Sequence, residues 1–384
     1  MVQEAMDLQR CFGRNLEEVL LRVFGIQSLR PLQVEAIKAL ESKYDSLIIL
    51  ATGAGKSLIY QLPAVLNCGV TVVLSPILAL IQDQVAILED QEVAAEVWNS
   101  TCASKARRPG LTTDLSSDEP ETRLLYTTPE SLLKQDLQGL LSQLHEKKLL
   151  SAFVVDEAHC ALQWGFDFRP SYLQFKILRQ KFPSVPVQAL TATCRPEDRG
   201  ALAHALGLLK PIVIEGSPDR KEISYQVRHK ELIGDGGEDD VMQDMLAFIR
   251  QQGGSGILYA HTRESCEQLA RSLREAGLLA SAYHAGLEAV VRNKRQQDWL
   301  EADDEIMVAT VAFGMGVNKC NVRWVIHWNL PKSVSHFYQE SGRAGRNGEA
   351  SFSLVYMSAA DAANNARLQR SEEGASAYTS VGKA

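Results

Sequence analysis

No stretch of the 384-residue sequence strings together the roughly 20 apolar residues that a membrane span requires. Residues Met1 to Asp7 also lack the basic-then-apolar order of a secretion signal, so neither a membrane nor a secreted location is expected. Cysteine is sparse: seven residues, odd in number, scattered, with no C-x-x-C pair. This excludes a disulfide framework and a Cys-rich zinc site, and it suits a reducing compartment. Positive charge is not in excess. Forty Lys and Arg stand against 47 Asp and Glu, a net charge of −7. A globally basic coat for nucleic acid is therefore excluded, but a local basic cleft is not. Short-period repeats are lacking too. What is present is ordinary globular material, 45% hydrophobic and 23% charged, in a chain too long for one core.

The apolar pattern alternates between two periods. Leu16, Val19, Leu20, Val23 and Phe24 recur at helical spacing, and Gly25 supplies the stop. Short, nearly all-apolar runs follow at Ser46–Leu50, Val70–Leu74, Arg123–Tyr126, Ala152–Asp156 and Val187–Leu190. Such runs predict strands buried on both faces of a parallel sheet. A polar stretch over Ile233–Asp240 precedes a second series, Gly256–Ala260, Ala280–Tyr283, Glu305–Ala309, Trp324–Trp328 and Ser351–Tyr356. An amphipathic helix through Cys266, Leu269, Ala270 and Leu273, stopped by Gly277, lies between the first two of these. The pattern predicts two α/β lobes, residues 1–213 and 214–358, with a short frayed tail over 359–384. Ala103–Glu121, with Arg-Arg-Pro-Gly and Ser-Ser-Asp-Glu-Pro inside it, reads as a loop.

Four segments carry chemistry. Thr52-Gly53-Ala54-Gly55-Lys56-Ser57 follows a predicted strand and opens a helix. Backbone N–H groups in such a turn cradle phosphates; Lys56 would reach the β/γ-phosphates and Ser57 a Mg²⁺ ion. The strict phosphate-loop pattern fails at its first glycine slot, which holds Leu50. Asp156-Glu157-Ala-His159 ends an apolar strand, where Asp156 would hold the metal and Glu157 would orient the attacking water. Arg343 and Arg346, in Ser341-Gly-Arg-Ala-Gly-Arg346, are candidate arginine fingers. Trp164, Phe166, Phe168 and Arg169 interleave aromatics with a cation, as base stacking requires. Each segment alone has a bland alternative: a turn, a polar strand end, a solvated basic loop, core packing.

Taken in order from Val23 to Ser358, the segments resemble the RecQ DNA helicases of superfamily 2. Phe24-Gly25 and Arg30-Pro-Leu-Gln33 match that family's adenine-reading motif, which implies that Gln33 hydrogen-bonds the base and Arg30 stacks on it. Ser75-Pro76, Asp83-Gln84, Asn99 and Thr128-Pro129-Glu130 match its DNA-contact motifs, and Thr191-Ala-Thr193 its linkage between ATP and DNA sites. In the second lobe Thr310, Gly314 and Gln339 lie in matching segments, and His159 with the aromatic loop would couple DNA binding to hydrolysis. The sequence departs from the family at Ile26, Ala51, Leu162, Phe166 and Glu222.

The resemblance implies two RecA-like parallel-sheet lobes with ATP and Mg²⁺ in an inter-lobe cleft. It implies ATP hydrolysis stimulated by single-stranded or 3′-tailed DNA, and 3′-to-5′ translocation as ATP closes the lobes and hydrolysis opens them. A monomer serving DNA repair or recombination follows, in the nucleus of a eukaryote or otherwise in the cytoplasm. The sequence stops where family members continue into a zinc-binding subdomain and has no Cys₄ set, so weak unwinding and no zinc are expected. Two alternatives stand beside this reading: a DNA-dependent ATPase or regulatory module that does not unwind, and an RNA helicase with the same core.

Overall fold

The computed structural model describes residues 15–163, 175–313 and 319–363. The chain divides into two compact units, Met1–Pro218 and Asp219–Ala384.

In the first unit, seven strands form one sheet: β1 (Ser46–Ile49), β2 (Val70–Leu74), β3 (Ala95–Trp98), β4 (Leu124–Thr127), β5 (Leu150–Val155), β6 (Val187–Thr191) and β7 (Ile212–Glu215). Their order is β3-β4-β2-β5-β6-β1-β7, and every pairing is parallel. Every residue of β1, β2, β4 and β6 is buried. Alternate side chains feed two cores, Leu47 and Ile49 on one face, Ile48 and Leu50 on the other. The second unit has six parallel strands: β8 (Ile223–His229), β9 (Gly256–Tyr259), β10 (Ala280–Tyr283), β11 (Ile306–Ala309), β12 (Trp324–His327) and β13 (Ser351–Met357). Their order is β10-β11-β9-β12-β13-β8. The expected class, two parallel-sheet α/β lobes, is what the chain adopts.

Three strands lie outside the sequence reading: β3, β7 and β8. All three are sheet edges with a mixed polar pattern, so no buried run announces them. Because β7 pairs with β1, the division falls after Pro218 rather than inside that strand at residue 213.

Residues 103–121, read as a loop, contain most of the helix Cys102–Leu115, with Pro109 inside it. A mid-helix proline costs about 3 kcal/mol. Tertiary contacts offset that cost. Leu111 and Leu115 are buried in the core, and Arg108 lies 4.8 Å over the Trp98 ring while donating to the Asn99 carbonyl at 2.8 Å. Asp114 accepts the Glu121 and Thr122 backbone N–H groups at 2.7 and 3.2 Å, closing the segment. The expected tail lies mostly in 364–384, outside the described residues.

The sheet is staked at the end opposite its strands' carboxyl termini. Asp45, 3% exposed and one residue before β1, accepts from Val187 N at 3.0 Å, Leu209 N at 2.6 Å and Arg179 Nη2 at 3.1 and 3.2 Å. One carboxylate thus ties β1, β6 and the helix Phe175–Lys181 together. Removing one partner of a buried ion pair strands the other. Asp45→Ala is expected to lower the unfolding free energy of the first unit by about 3–5 kcal/mol, measured by urea denaturation.

Candidate nucleotide-hydrolysis site

A parallel strand buried on both faces can offer polar groups only where it ends, and in open α/β sheets ligands bind beyond the carboxyl ends. The segments after β1, β2, β3, β4, β5 and β6 are the ones singled out by sequence.

After β1 the chain turns through Gly53 (φ 81°) and Gly55 (φ 74°), a backbone region that only glycine enters freely, before the helix Leu58–Leu66 starts. A Cβ at Gly55 would lie 2.5 Å from Gln33 Nε2. Lys56 Nζ folds back on the turn and donates to the Leu50 and Ala51 carbonyls at 3.1 and 3.3 Å. Leu50, in the slot where the strict pattern has glycine, is 4% exposed; its Cδ2 would sit 2.9 Å from a Cβ on Gly216. Gly216 makes the room that Leu50 takes.

The helix Pro31–Glu41 clamps the same turn. Arg30 Nη1 donates to the Gly53 carbonyl at 3.3 Å, and Gln33 Nε2 donates to Ala54 and Gly55 carbonyls at 3.3 and 3.1 Å. Gln33 Oε1 accepts Arg30 N at 2.8 Å. The structure thus places Arg30 and Gln33 beside Thr52–Ser57, with the Gln33 amide engaged by the turn itself. Phe24 is half-buried against the core.

Asp156 and Glu157 follow β5. Burial, reinforced by Glu157 next door, pushes the Asp156 carboxyl up to about 7, against a partial pull downward from Lys56. Glu157 has φ 48°, a strained setting for a side-chain-bearing residue, worth about 1–3 kcal/mol. Below them lies a buried polar layer that the sequence did not announce, with Gln61 Nε2 donating to Gln84 Oε1 and Tyr126 Oη at 3.0 and 3.3 Å. A Tyr-Gln pair one turn after Lys56 was the available signal.

His159 joins this strand end to the next. Thr191 Oγ1 donates its proton to the Thr193 carbonyl at 3.0 Å, so toward Thr193 N (3.1 Å) and His159 Nδ1 (3.0 Å) it accepts. The network therefore assigns the imidazole proton to Nδ1, which also lies 3.4 Å from Glu157 Oε2. His159 thus stands between the Glu157 carboxylate, at 3.4 Å, and the Thr191-Ala-Thr193 segment, to which it is hydrogen-bonded.

The other first-unit candidates sit at neighbouring strand ends. Asn99 Oδ1 accepts Thr101 N and Oγ1 at 2.8 and 2.7 Å, and Thr128 caps the helix Pro129–Leu132, accepting Ser131 N at 3.3 Å. Both side chains shape their loops. Ser75 and Pro76 are buried at the end of β2, and Glu130 is exposed. Trp164, Phe166, Phe168, Arg169 and Gly314 lie outside the described residues.

In the second unit Arg343 is buried and Arg346 half-buried. Burial, with Arg343 beside it, pushes the Arg346 guanidinium down to about 10, still charged at neutral pH. Arg220 holds this turn: Nη1 donates to the Gly342 carbonyl at 3.1 Å, Nη2 to Ala344 and Gly345 carbonyls at 3.0 and 3.3 Å. Glu222, one of the departures from the family pattern, pairs with Arg220. Three guanidinium groups converge there, an arrangement that an anion would relieve. Thr310 follows β11, with its N donating to the Tyr283 carbonyl at 3.2 Å, and Gln339 is half-buried on the helix Val334–Ser341.

Comparison with known proteins agrees with this layout. Residues 30–199 match the DEAD/DEAH box helicase family and residues 239–348 the helicase conserved C-terminal domain. The fold resembles that of a Mycobacterium smegmatis helicase, Lhr, solved with ssDNA and AMP-PNP, at a TM-score of 0.70 and 21% identity, over 91% of this chain and 48% of that one. The chain thus has the paired domains of a DEAD/DEAH-box helicase core. Over 91% of its length it is 46% identical to the rat ATP-dependent DNA helicase Q5, and over 96% it is 40% identical to the Xenopus laevis RecQ-like DNA helicase BLM. It belongs to the RecQ family, and it spans about a third of the length of these curated relatives (36% and 27%).

Asp83, on the helix Leu78–Asp90, gives this region a pH signature. Burial pushes its carboxyl up to about 6, above the value of about 3.9 in an unfolded chain. The folded state therefore holds a proton that the unfolded state has lost between those pH values, and stability falls as pH rises through that window. In Asp83→Asn this slope is expected to vanish. Its Tm should match wild type near pH 4 and exceed it by a constant margin above pH 6, as scanning calorimetry at several pH values would show.

Proposed function

We propose that the chain is the motor of an ATP-dependent DNA helicase that hydrolyses ATP and moves 3′-to-5′ along single-stranded DNA, in repair or recombination. The observation that carries this is the pairing of a phosphate-type turn, its lysine folded on the turn's own carbonyls, with a half-buried Asp156–Glu157 pair whose like charges oppose each other. The relatives' names support DNA over RNA as the track.

In this reading the triphosphate draws Lys56 off the Leu50 and Ala51 carbonyls, so that its charge bridges the β/γ-phosphates. Ser57 and Asp156 would hold Mg²⁺. A cation is what the Asp156 site fits, since burial and Glu157 both penalise its negative charge. The ion would supply charge neutralisation on the phosphate oxygens. Glu157 orients water and takes its proton, while His159, tied to Thr191, reports the state of that carboxylate to the Thr-Ala-Thr segment. Arg343 and Arg346 supply positive charge to the phosphoryl group in transit. Phe24, Arg30 and Gln33 serve the base. Ser75, Pro76, Asp83, Gln84, Asn99, Thr128, Pro129, Glu130, Thr193, Thr310, Gly314 and Gln339 serve the DNA track and its coupling, with Trp164, Phe166, Phe168 and Arg169 stacking on bases.

Two experiments test this. Lys56→Ala is expected to weaken ATP binding and turnover together. Glu157→Gln should bind ATP normally but hydrolyse it about 10²–10⁴-fold more slowly, and wild-type turnover there would dismiss Glu157 as the base. Separately, Trp164→Ala should keep basal ATPase and lose most stimulation by single-stranded DNA, with RNA stimulating neither protein. Equal loss of basal and stimulated rates would assign the aromatics to packing.

A further inference from the structure

Arg343 follows the helix Val334–Ser341 by two residues, and the turn that carries it is held by contacts the reaction itself does not explain. On one side, Arg220 fixes the backbone of the turn through the Gly342, Ala344 and Gly345 carbonyls. On the other side stands Tyr259, the last residue of β9. Its hydroxyl donates its only proton to the Phe313 carbonyl at 2.8 Å, with the Arg343 charge nearby.

The Tyr259 ring is itself held. His327, the last residue of β12, stacks on it at 5.4 Å with the planes 21° apart. The other neighbour of the imidazole is Phe337, at 5.5 Å and 56°. His327 Nε2 lies 3.0 Å from Glu340 Oε2, so the nitrogen facing the carboxylate carries the proton. His327 is 2% exposed and Glu340 7% exposed. Phe337 and Glu340 belong to the helix that leads into Arg343, and backbone N of Arg343 bonds the Glu340 carbonyl at 3.2 Å. The His327–Glu340 pair therefore reaches Arg343 through the end of the helix, while His327 also stacks on the Tyr259 ring.

A buried polar pair is a poor stabiliser, because apolar residues of the same volume often do as well. Its use here is direction: a charged hydrogen bond fixes the angle of a ring and a helix end as an apolar contact does not. We propose that His327 and Glu340 are positioning residues for hydrolysis, which set the Arg343 guanidinium without touching the nucleotide. This rests on the assignment of Arg343 to the transferring phosphoryl group.

The test is a double-mutant cycle on the full chain, read as DNA-stimulated kcat and KM for ATP. His327→Phe keeps a ring between Tyr259 and Phe337 but leaves Glu340 unpaired. It is expected to lower kcat by about 10- to 100-fold, the scale of a misplaced catalytic group, with KM for ATP within about twofold of wild type. His327→Gln returns an N–H to Glu340 and should recover kcat to within about threefold of wild type. Glu340→Gln, nearly isosteric, is the second probe and should lose kcat as His327→Phe does. In an Arg343→Ala background each of these changes should cost less than about twofold. A penalty at His327 that persists undiminished in that background would overturn the proposal, as would near-wild-type kcat in both His327→Phe and Glu340→Gln. Wild-type turnover by Arg343→Ala alone would instead remove the assignment of Arg343, and the positioning role with it.

Discussion

Covering both faces of a parallel sheet leaves a strand no place for reactive groups except its ends, and both units are organised by that constraint. In the first unit, β1, β2, β4 and β6 are buried at every residue, so alternate side chains are committed to one core or the other. The chain can present Lys56, Ser75, Asn99, Thr128, Asp156 and Thr191 together only because six parallel strands stop at the same edge. Asp45 secures the opposite edge. The stability of the sheet and the position of the site are therefore set at different ends of the same strands.

Both units also hold like charges closer than stability alone would favour. Asp156 is forced toward protonation by burial and by Glu157, and Arg346 is forced toward deprotonation by burial and by Arg343. Neither group gains from this in the folded chain by itself. The strained φ of Glu157 adds to the same account. These are the costs expected of a site shaped around ligands of opposite charge: a cation relieves the carboxylates and an anion the arginines. Lys56, meanwhile, is held by the Leu50 and Ala51 carbonyls.

The sequence was legible where one residue type can do one job. All-apolar runs marked the central strands, and glycines before a lysine marked the turn, since only glycine tolerates φ 81° and 74°. It was not legible where tertiary contact overrides local preference. The edge strands β3, β7 and β8 carry polar residues because one side faces no neighbour. The helix Cys102–Leu115 survives Pro109 only through Leu111, Leu115 and the Arg108–Trp98 contact. At the site, residue types were legible but their partners were not. The family resemblance pointed to Gln33 but not to its grip on the Ala54 and Gly55 carbonyls, and nothing local to His327 relates it to the turn of Arg343.

Leu50 shows why a departure from pattern need not be a loss. Glycine in that slot would leave space above the turn, whereas leucine fills it and joins the core that backs the helix Leu58–Leu66. The substitution is possible because Gly216, 166 positions later, lacks the Cβ that would meet Leu50 Cδ2 at 2.9 Å. Leu32, on the helix carrying Gln33, closes the same gap, 3.2 Å from that point. The turn's mouth is thus braced by an apolar contact running from the helix Pro31–Glu41 through Leu50 to the chain just beyond β7. Glu222 shows the same logic in the second unit, where a carboxylate that departs from the family pattern is accommodated because Arg220 is there to receive it. In both places the altered residue is compensated by a partner distant in sequence, so the geometry of the turn survives a pattern that reads as broken.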